Sequence, residues 1–172
     1  LAGLVDHSLV EVGEDGRYGM HELLRQHAGQ RLAADPAEQA EVRRRHAAYF
    51  SGLLPDPDQP LLGGAELDAD VENLRSATDW LVDHGDPPEL DRHLTRLWPL
   101  YRRRGWFREA QATFGAALRR RDVPAPERAH WHRLLAEAHV QLGEMRQARD
   151  HFEQTLALLG SPLPTSGLGW SD

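Results

Sequence analysis

Histidines are the side chains of this chain whose type and number first suggest a chemical site. Ten are present, but no His-Glu-x-x-His pattern occurs, since His21-Glu22 is followed by Arg25 and the next histidine is His27. Two zinc ligands on one helix must share a face, and a spacing of six places His21 and His27 on different faces. We therefore predict no metal site and expect the histidines to be surface or packing residues.

The sequence also shows no catalytic constellation. It has no Gly-x-Ser-x-Gly nucleophile motif, no cysteine and no Gly-x4-Gly-Lys-Ser/Thr phosphate-binding loop. All 20 basic residues are arginine and the net charge is −7, which disfavours nucleic acid as a partner of the domain. No run approaches the roughly 20 apolar residues of a membrane span. We expect a cytoplasmic protein that is not an enzyme and does not contact a membrane.

The first 35 residues differ in pattern from the rest. Ser8 to Val12 is a β-prone run, Asp15-Gly16 is a pair typical of hairpin turns, and Arg17 to Met20 can return as a second strand. A helix is predicted to follow from about His21. The chain begins without Met and without a signal peptide, so we expect it to come from the middle of a longer protein.

Helical periodicity dominates the remainder. From residue 36 to residue 160, apolar residues recur at helical spacing between breaks rich in Gly and Pro. Residues 161–172 are rich in Gly, Pro and Ser and are expected to be a linker. The predicted organisation is thus 1–35, 36–160 and 161–172.

An internal repeat of 38 residues covers the last four predicted helices. The shift superposes residues of the same type, namely Leu97 on Leu135, Gly105 on Gly143, Ala110 on Ala148, Phe114 on Phe152, Leu118 on Leu156 and Pro124 on Pro162. A period of this size indicates stacked supersecondary units, because two short antiparallel helices cannot bury their apolar faces alone. We expect the chain to reverse at Gly105 and Gly143, and Phe114 and Phe152 to fill the space between helical pairs.

This repeat resembles the tetratricopeptide repeat (TPR), in which Leu, Tyr, Gly, Ala and Phe are spaced across one helical hairpin. The copies here are Leu97, Tyr101, Gly105, Ala110, Phe114 and then Leu135, His139, Gly143, Ala148, Phe152. The resemblance covers roughly residues 91 to 162. It implies a mainly α fold, an α-solenoid of TPR-like helical hairpins over residues 36–160.

In the TPR family the first helix of each pair lines a concave groove. Carried over to this chain, that face holds Arg92, Arg102, Arg103, His130, Arg133, Glu137 and Gln141. A mainly basic strip implies a protein or peptide partner that presents an acidic segment, held by charge-assisted hydrogen bonds. The alternative is that arginines, including the triplet Arg119-Arg120-Arg121, are solvated or complement helix C-termini.

A second resemblance lies near the N-terminus. The stretch from Arg17 to Arg25 resembles the end of the winged-helix domain in signal-transduction ATPases of the STAND or NB-ARC class, with Met20-His21-Glu22 at the place of their Met-His-Asp motif. It implies that residues 1–35 are the C-terminal part of a winged-helix domain that includes one β-hairpin. It also implies that His21 contacts a phosphate of ADP in the intact ATPase. ATP or ADP is the cofactor implied for the parent protein, and none is expected in this fragment.

Together the two resemblances predict the protein-interaction and signal-sensing region of a STAND-type ATPase or transcriptional regulator. Its partners would be a protein or peptide and the neighbouring domains of its own chain. The alternative is a DNA-binding transcriptional regulator that acts through its winged-helix portion. Salt-dependent binding of duplex DNA would distinguish the second interpretation from the first.

Overall fold

The chain is mainly α-helical, as predicted. In the computed structural model the described residues are 2–13, 16–57, 59 and 64–161. Over these ranges the elements are α1 Ala2–Asp6, β1 Glu11–Val12, β2 Tyr18–Gly19, α2 Glu22–Ala33, α3 Pro36–Leu53, α4 Gly64–Ala69, α5 Val71–His84, α6 Pro87–Arg104, α7 Phe107–Leu118, α8 Ala125–Gln141 and α9 Met145–Leu158. None of these helices combines the length and apolar character needed to cross a membrane. The predicted linker, from residue 162 onward, lies outside the described residues.

Residues 1–45 form one compact unit. Its two strands pair antiparallel, with Glu11 opposite Gly19 and Val12 opposite Tyr18, which confirms the predicted hairpin with shorter strands. Gly16 adopts a φ of 75°, a value that glycine reaches without strain. Asp15 of the predicted turn lies outside the described residues. The second compact unit begins at His46, inside α3, while the predicted domain boundary after residue 35 stays a prediction.

In the second unit, α8 and α9 form an antiparallel pair. The Oγ1 of Thr155 donates to the carbonyl oxygen of Ala129, and near the turn the His139 ring lies 2.7 Å from a carboxylate oxygen of Glu144. The sequence separation between contacting residues therefore decreases toward the turn, as it must in a helical hairpin. Gly143 lies at that turn with a φ of 74°, and Gly105 ends α6 with a φ of 68°. The predicted reversals at both glycines are confirmed.

Helix α6 also lies beside α8, the second helix after it along the chain. The indole Nε1 of Trp98 on α6 donates to Glu137 on α8, 39 residues later, and Asp91 contacts His130 at the same separation. This constant separation shows that α6 and α8 run parallel, and it nearly equals the 38-residue repeat of the sequence. The internal repeat therefore corresponds to helices that are neighbours in space.

The core of this unit is apolar and centred on Phe114. Its ring is fully buried, with ring centroids 5.7 Å from Trp98 and 6.2 Å from Tyr101 in edge-on geometry. The equivalent Phe152 on α9 is 37% exposed. The expectation that both rings fill the space between helical pairs is thus confirmed for Phe114 and wrong for Phe152. The reason is that α8 packs beyond α7, whereas α9 is the last element in the described part of the chain.

A buried histidine joins three helices of this core. His93 on α6 is 2% exposed, and its Nδ1 lies 2.6 Å from Ser51 Oγ on α3. Its Nε2 lies 2.8 Å from Thr78 Oγ1 on α5, and that hydroxyl donates its own proton to the carbonyl of Leu74. Because the Thr78 hydroxyl has used its own hydrogen, Nε2 must carry a hydrogen and donate it to Thr78 Oγ1. In the neutral ring Nδ1 then has no hydrogen and accepts from the Ser51 hydroxyl. Burial lowers the pKa of His93 to about 4, so the ring is neutral at pH 7.

One arginine of the triplet at 119–121 is structural. Arg120 Nη1 donates to the carbonyl of Gly85 at 2.6 Å and lies 3.3 Å from that of Val82, at the C-terminus of α5. Arg128 on α8 donates to the carbonyls of Leu118 and Arg120 after α7 in the same way. Carbonyls at a helix end lack partners within the helix, and a cation also complements the helix dipole. For Arg120 the helix-end interpretation is confirmed.

Candidate partner-binding face

All seven residues predicted from the TPR resemblance lie on α6 and α8. Arg92, Arg102 and Arg103 belong to α6, and His130, Arg133, Glu137 and Gln141 belong to α8. Arg92 and Arg103 are three helical turns apart and share one side of α6, and His130 and Gln141 do the same on α8. Because the two helices run side by side, these sides adjoin.

His130 is held by internal contacts. Its Nδ1 lies 2.6 Å from Asp91 Oδ1, and the same oxygen accepts a 2.9 Å hydrogen bond from Trp131 Nε1. His130 and Asp91 are both mostly buried side chains. The Asp91 carboxylate thus joins α6 to α8 and engages one of the two ring nitrogens of His130.

Arg133 and Glu137 are likewise engaged with each other. Arg133 forms an ion pair with Glu137 one turn further along α8, and the second carboxylate oxygen of Glu137 accepts from Trp98 Nε1 at 2.8 Å. The Glu137 charge compensates Arg133, so the middle of the strip is close to neutral. Sequence reasoning placed these residues on the correct helix but could not show that they bind each other.

Basic side chains that are exposed to solvent lie at one end of the face. Arg102, Arg103 and Gln141 surround a pocket of about 360 Å³, whose remaining walls are Pro99 and Phe107. Both arginines and Gln141 are exposed, and Phe107 is half-buried with its ring 6.4 Å from that of Trp98. Guanidinium groups bind carboxylates with paired N–H donors, and the Gln141 amide can donate or accept. The pocket thus combines polar side chains that can bind an acidic group with an apolar wall.

Arg92 lies apart from this pocket. It is exposed on the N-terminal half of α6, nearly three turns from Arg102, and is not among the residues that line the pocket. Of the seven predicted residues, the structure brings Arg102, Arg103 and Gln141 together at one site.

A second cleft, of about 330 Å³, lies where α5, α6 and α7 meet. Its arginine, Arg75, donates from two nitrogens to the two carboxylate oxygens of Glu109 at 2.9 Å each, and its guanidinium lies 5.2 Å from the Trp106 ring centroid. Glu109 holds the pKa of Arg75 above its usual value. This arginine is therefore committed to packing α5 on α7 and is not available for a ligand.

His21 lies in the first compact unit and caps α2. Its Nδ1 accepts from the backbone N–H of Leu23 at 3.3 Å, and the residue is exposed. A single imidazole nitrogen remains, and the sequence has no phosphate-binding loop to surround a phosphate. The residues of this chain do not by themselves fit ADP.

Sequence reasoning missed a group of three histidines between α8 and α9. His132 and His139 are seven residues apart on one side of α8, and both rings face His151 on α9. The seven-residue spacing was the signal that could have revealed them. In the described ranges, no group of three or more His, Cys, Asp or Glu side chains is arranged to hold a metal ion.

The chain is similar in sequence to transcription regulators. No protein-family model matches it, and no solved structure matches it. Proteins named "Putative HTH-type transcriptional regulator" from Mycobacterium bovis and from two strains of Mycobacterium tuberculosis are 28% identical over 178 aligned positions. The alignments cover 98% of this chain and 18% of each relative, so the chain spans about a fifth of their length. These relatives are named as regulators of transcription and not as enzymes.

Proposed function

We propose that this chain is the partner-binding, signal-sensing region of a STAND-type transcriptional regulator, and that it binds an acidic segment of a protein or peptide on the face formed by α6 and α8. The observation that carries the proposal is the pocket of Arg102, Arg103 and Gln141. There, exposed cationic groups of α6 and the Gln141 amide of α8 adjoin an apolar wall. The more central predicted residues are held in internal bonds and would shape the face without contacting the partner.

The arrangement of the helices supports a TPR-like solenoid. Antiparallel pairs turn at Gly105 and Gly143, and α6 contacts α8 at a separation of 39 to 40 residues. A solenoid places the first helices of successive pairs side by side, which is how extended binding faces arise in repeat proteins. Asp91 and Glu137 each join α6 to α8 and would hold the face in shape before a partner binds, which reduces the entropic cost of binding.

The chemistry of the pocket selects the partner. A carboxylate that enters between Arg102 and Arg103 would form charge-assisted hydrogen bonds, and a neighbouring apolar side chain would pack on Pro99 and Phe107. We therefore expect the partner segment to combine Asp or Glu with an aliphatic or aromatic residue. Neutral segments should bind less tightly, because a neutral acceptor forms weaker hydrogen bonds with a guanidinium group than a carboxylate does.

A binding experiment with peptides tests this proposal. The probes are fluorescein-labelled eight-residue peptides in which two Glu residues flank Leu or Phe, with Gln-containing peptides of the same order as controls. The 172-residue chain should bind the Glu peptides at least tenfold more tightly at low salt, as measured by fluorescence polarisation. Arg102→Glu should abolish this preference, whereas Arg121→Glu, the same charge change at an exposed site before α8, should leave it within twofold. Equal affinity of the wild-type chain and the Arg102 variant would refute the assignment.

The names of the mycobacterial relatives favour a second candidate function, binding of DNA through the proposed winged-helix portion, residues 1–35 of the first compact unit. The charges of the first compact unit, residues 1–45, argue against DNA binding, since it contains eight acidic residues and only six arginines. Arg25 is paired with Glu22, and Arg45 is paired with Glu41. Fewer cations are therefore available for phosphates than the number of arginines suggests. Binding of a labelled 20-base-pair duplex that weakens steeply with salt would favour this candidate over peptide binding.

We propose a contact between His21 and an ADP phosphate only for a chain longer than this one. In such a chain another segment would have to supply the phosphate-binding loop, and His21 would add one donor. Isothermal titration of the 172-residue chain with ADP should give no measurable heat of binding. Saturable binding would show that this chain holds nucleotide through residues not identified above.

A further inference from the structure

Three imidazole rings lie in a row along the contact between α8 and α9. We call His132, His151 and His139 the imidazole row. The ring centroids of His132 and His151 are 5.1 Å apart, and those of His151 and His139 are 5.3 Å apart with nearly parallel planes. His151 on α9 is thus placed between two histidines of α8.

The contact between His132 and His151 constrains the number of protons they can hold. Their Nδ1 atoms lie 2.9 Å apart, a distance at which one nitrogen must donate and the other must accept. The contact forms when both rings are neutral or when one ring is charged. It cannot form when both rings are charged, because both Nδ1 atoms then carry hydrogen and the two cations repel.

The surroundings of this contact disfavour protonation of the His132 and His151 rings. Burial lowers the pKa of His132 to about 4, and the charges of His151 and of Arg128 on α8 act in the same direction. Burial also lowers the pKa of His151, with His139 acting in the same direction, while Asp150 on α9 acts against the shift.

The other end of the row is stabilised by negative charge. His139 Nδ1 lies 2.7 Å from Glu144 Oε2 in the turn and 2.7 Å from Gln111 Nε2 on α7. Glu144 also accepts from Arg108 of α7 at 2.6 Å, and the hydrogen bond with His139 is the main reason that its pKa is lowered. Glu144 therefore stays ionised in mild acid and keeps a negative charge at the turn.

We propose that the imidazole row is an acid-sensitive latch, in which double protonation of His132 and His151 releases α9 from α8 while the Glu144 end of the hairpin stays closed. The chain would open at the turn near Gly143, with the C-terminal end of α9 moving first. Release of α9 would also break the hydrogen bond that Thr155 Oγ1 donates to the carbonyl of Ala129 across the pair at 3.2 Å. Phe152, which would anchor a fully covered helix, is partly exposed.

Site-resolved amide hydrogen exchange tests the latch. After correction for the intrinsic effect of pH on exchange, protection of the α9 amides should fall on the order of tenfold between pH 7 and pH 5, because the open form binds protons more tightly. Acid also destabilises the unit through His93, and this effect acts equally on the wild type and on variants of the row. The part of the fall in α9 protection that a variant of the row removes therefore measures the local opening.

Matched variants make the test specific. His151→Phe keeps an aromatic ring between His132 and His139 but cannot be protonated, so most of the pH dependence of α9 should disappear. His84→Phe changes an exposed histidine that stacks on Trp80 in α5, and should leave the α9 response intact. Should the His151 variant fold poorly, His132→Phe removes the same Nδ1 contact from the α8 side. The proposal is overturned by wild-type α9 protection that does not change with pH, or by a folded His151 or His132 variant that responds like the wild type.

Discussion

Buried His93 should make the free energy of unfolding of the second compact unit depend strongly on pH. The perturbation is His93→Gln, because glutamine offers both a donor and an acceptor to Ser51 and Thr78 but does not titrate. In the wild-type chain, burial favours the neutral imidazole and lowers the pKa of His93 from 6.5 to about 4. Folding therefore excludes a proton that the unfolded chain binds.

The magnitude follows from that difference in pKa. The contribution of His93 to stability is fully present above pH 6.5 and is lost as the pH falls toward 4, because only the unfolded state is protonated in that window. One pKa unit corresponds to about 1.4 kcal/mol, so the loss from His93 is about 2 kcal/mol at pH 5 and about 3 kcal/mol at pH 4. His93→Gln should destabilise the unit at pH 7, with a cost of about 1 kcal/mol for imperfect hydrogen bonds. Its stability should then fall less steeply in acid.

Urea unfolding followed by tryptophan fluorescence is the assay, at pH values from 7 to 4.5. Trp80, Trp98, Trp106 and Trp131 all lie in the second unit, so the fluorescence reports on it. Leu94→Ala is the control, because it removes a fully buried side chain without changing a titratable group and should keep the wild-type pH dependence. The imidazole row contributes equally to all three proteins and cancels in the comparison. If His93→Gln keeps the wild-type pH dependence, the interpretation of His93 as a neutral buried group is wrong.

Three further predictions concern the turn, a helix end and the repeat. Gly143→Ala should destabilise the second unit by about 1 kcal/mol in thermal unfolding, because its φ of 74° disfavours a side chain although a Cβ would meet no atom within 4 Å; an unchanged melting temperature would contradict this. Arg120→Met should cost about 1–3 kcal/mol by urea unfolding, because it leaves carbonyls at the end of α5 without their donor. Arg121→Met should change stability by less than about 0.5 kcal/mol, since this residue is exposed, and similar losses for both variants would argue against a capping role. Phe114→Ala should cost about 3–5 kcal/mol and Phe152→Ala clearly less, because the first ring is fully buried and the second is 37% exposed; equal losses would show that α9 is packed more tightly than its exposure indicates.

Local patterns in the sequence predicted the elements of the fold well. The helices from residue 36 onward followed from apolar spacing, and Gly105 and Gly143 marked the reversals because a left-handed backbone at a helix end favours glycine. Asp70 stands at the N-cap of α5, but its side chain accepts from Asn73 and makes no capping bond to the backbone. Features set by neighbours within four residues were accessible to sequence reasoning.

Features set by packing between helices were not accessible in the same way. The burial of His93 depends on α3, α5 and α6 meeting around one ring, and its sequence neighbours Arg92 and Leu94 give no sign of this. The difference between Phe114 and Phe152 has the same origin, since identical places in the repeat are covered differently by what packs beyond them. A repeat predicts equivalent positions in a hairpin but not equivalent environments.

The candidate face shows how this distinction bears on function. The 38-residue repeat makes Arg92 equivalent to His130, Pro99 to Glu137 and Arg103 to Gln141, so equivalent places on adjoining helices carry different chemistry. Glu137 accepts from Trp98, the residue before its equivalent Pro99, and this bond joins the two helices. One turn further along the two helices, Arg103 and Gln141 line a pocket together with Phe107. Equivalent places thus join the two helices at Glu137 and line an open pocket at Arg103 and Gln141. The exposed guanidinium and amide groups beside an apolar wall are the strongest structural reason to propose a partner there.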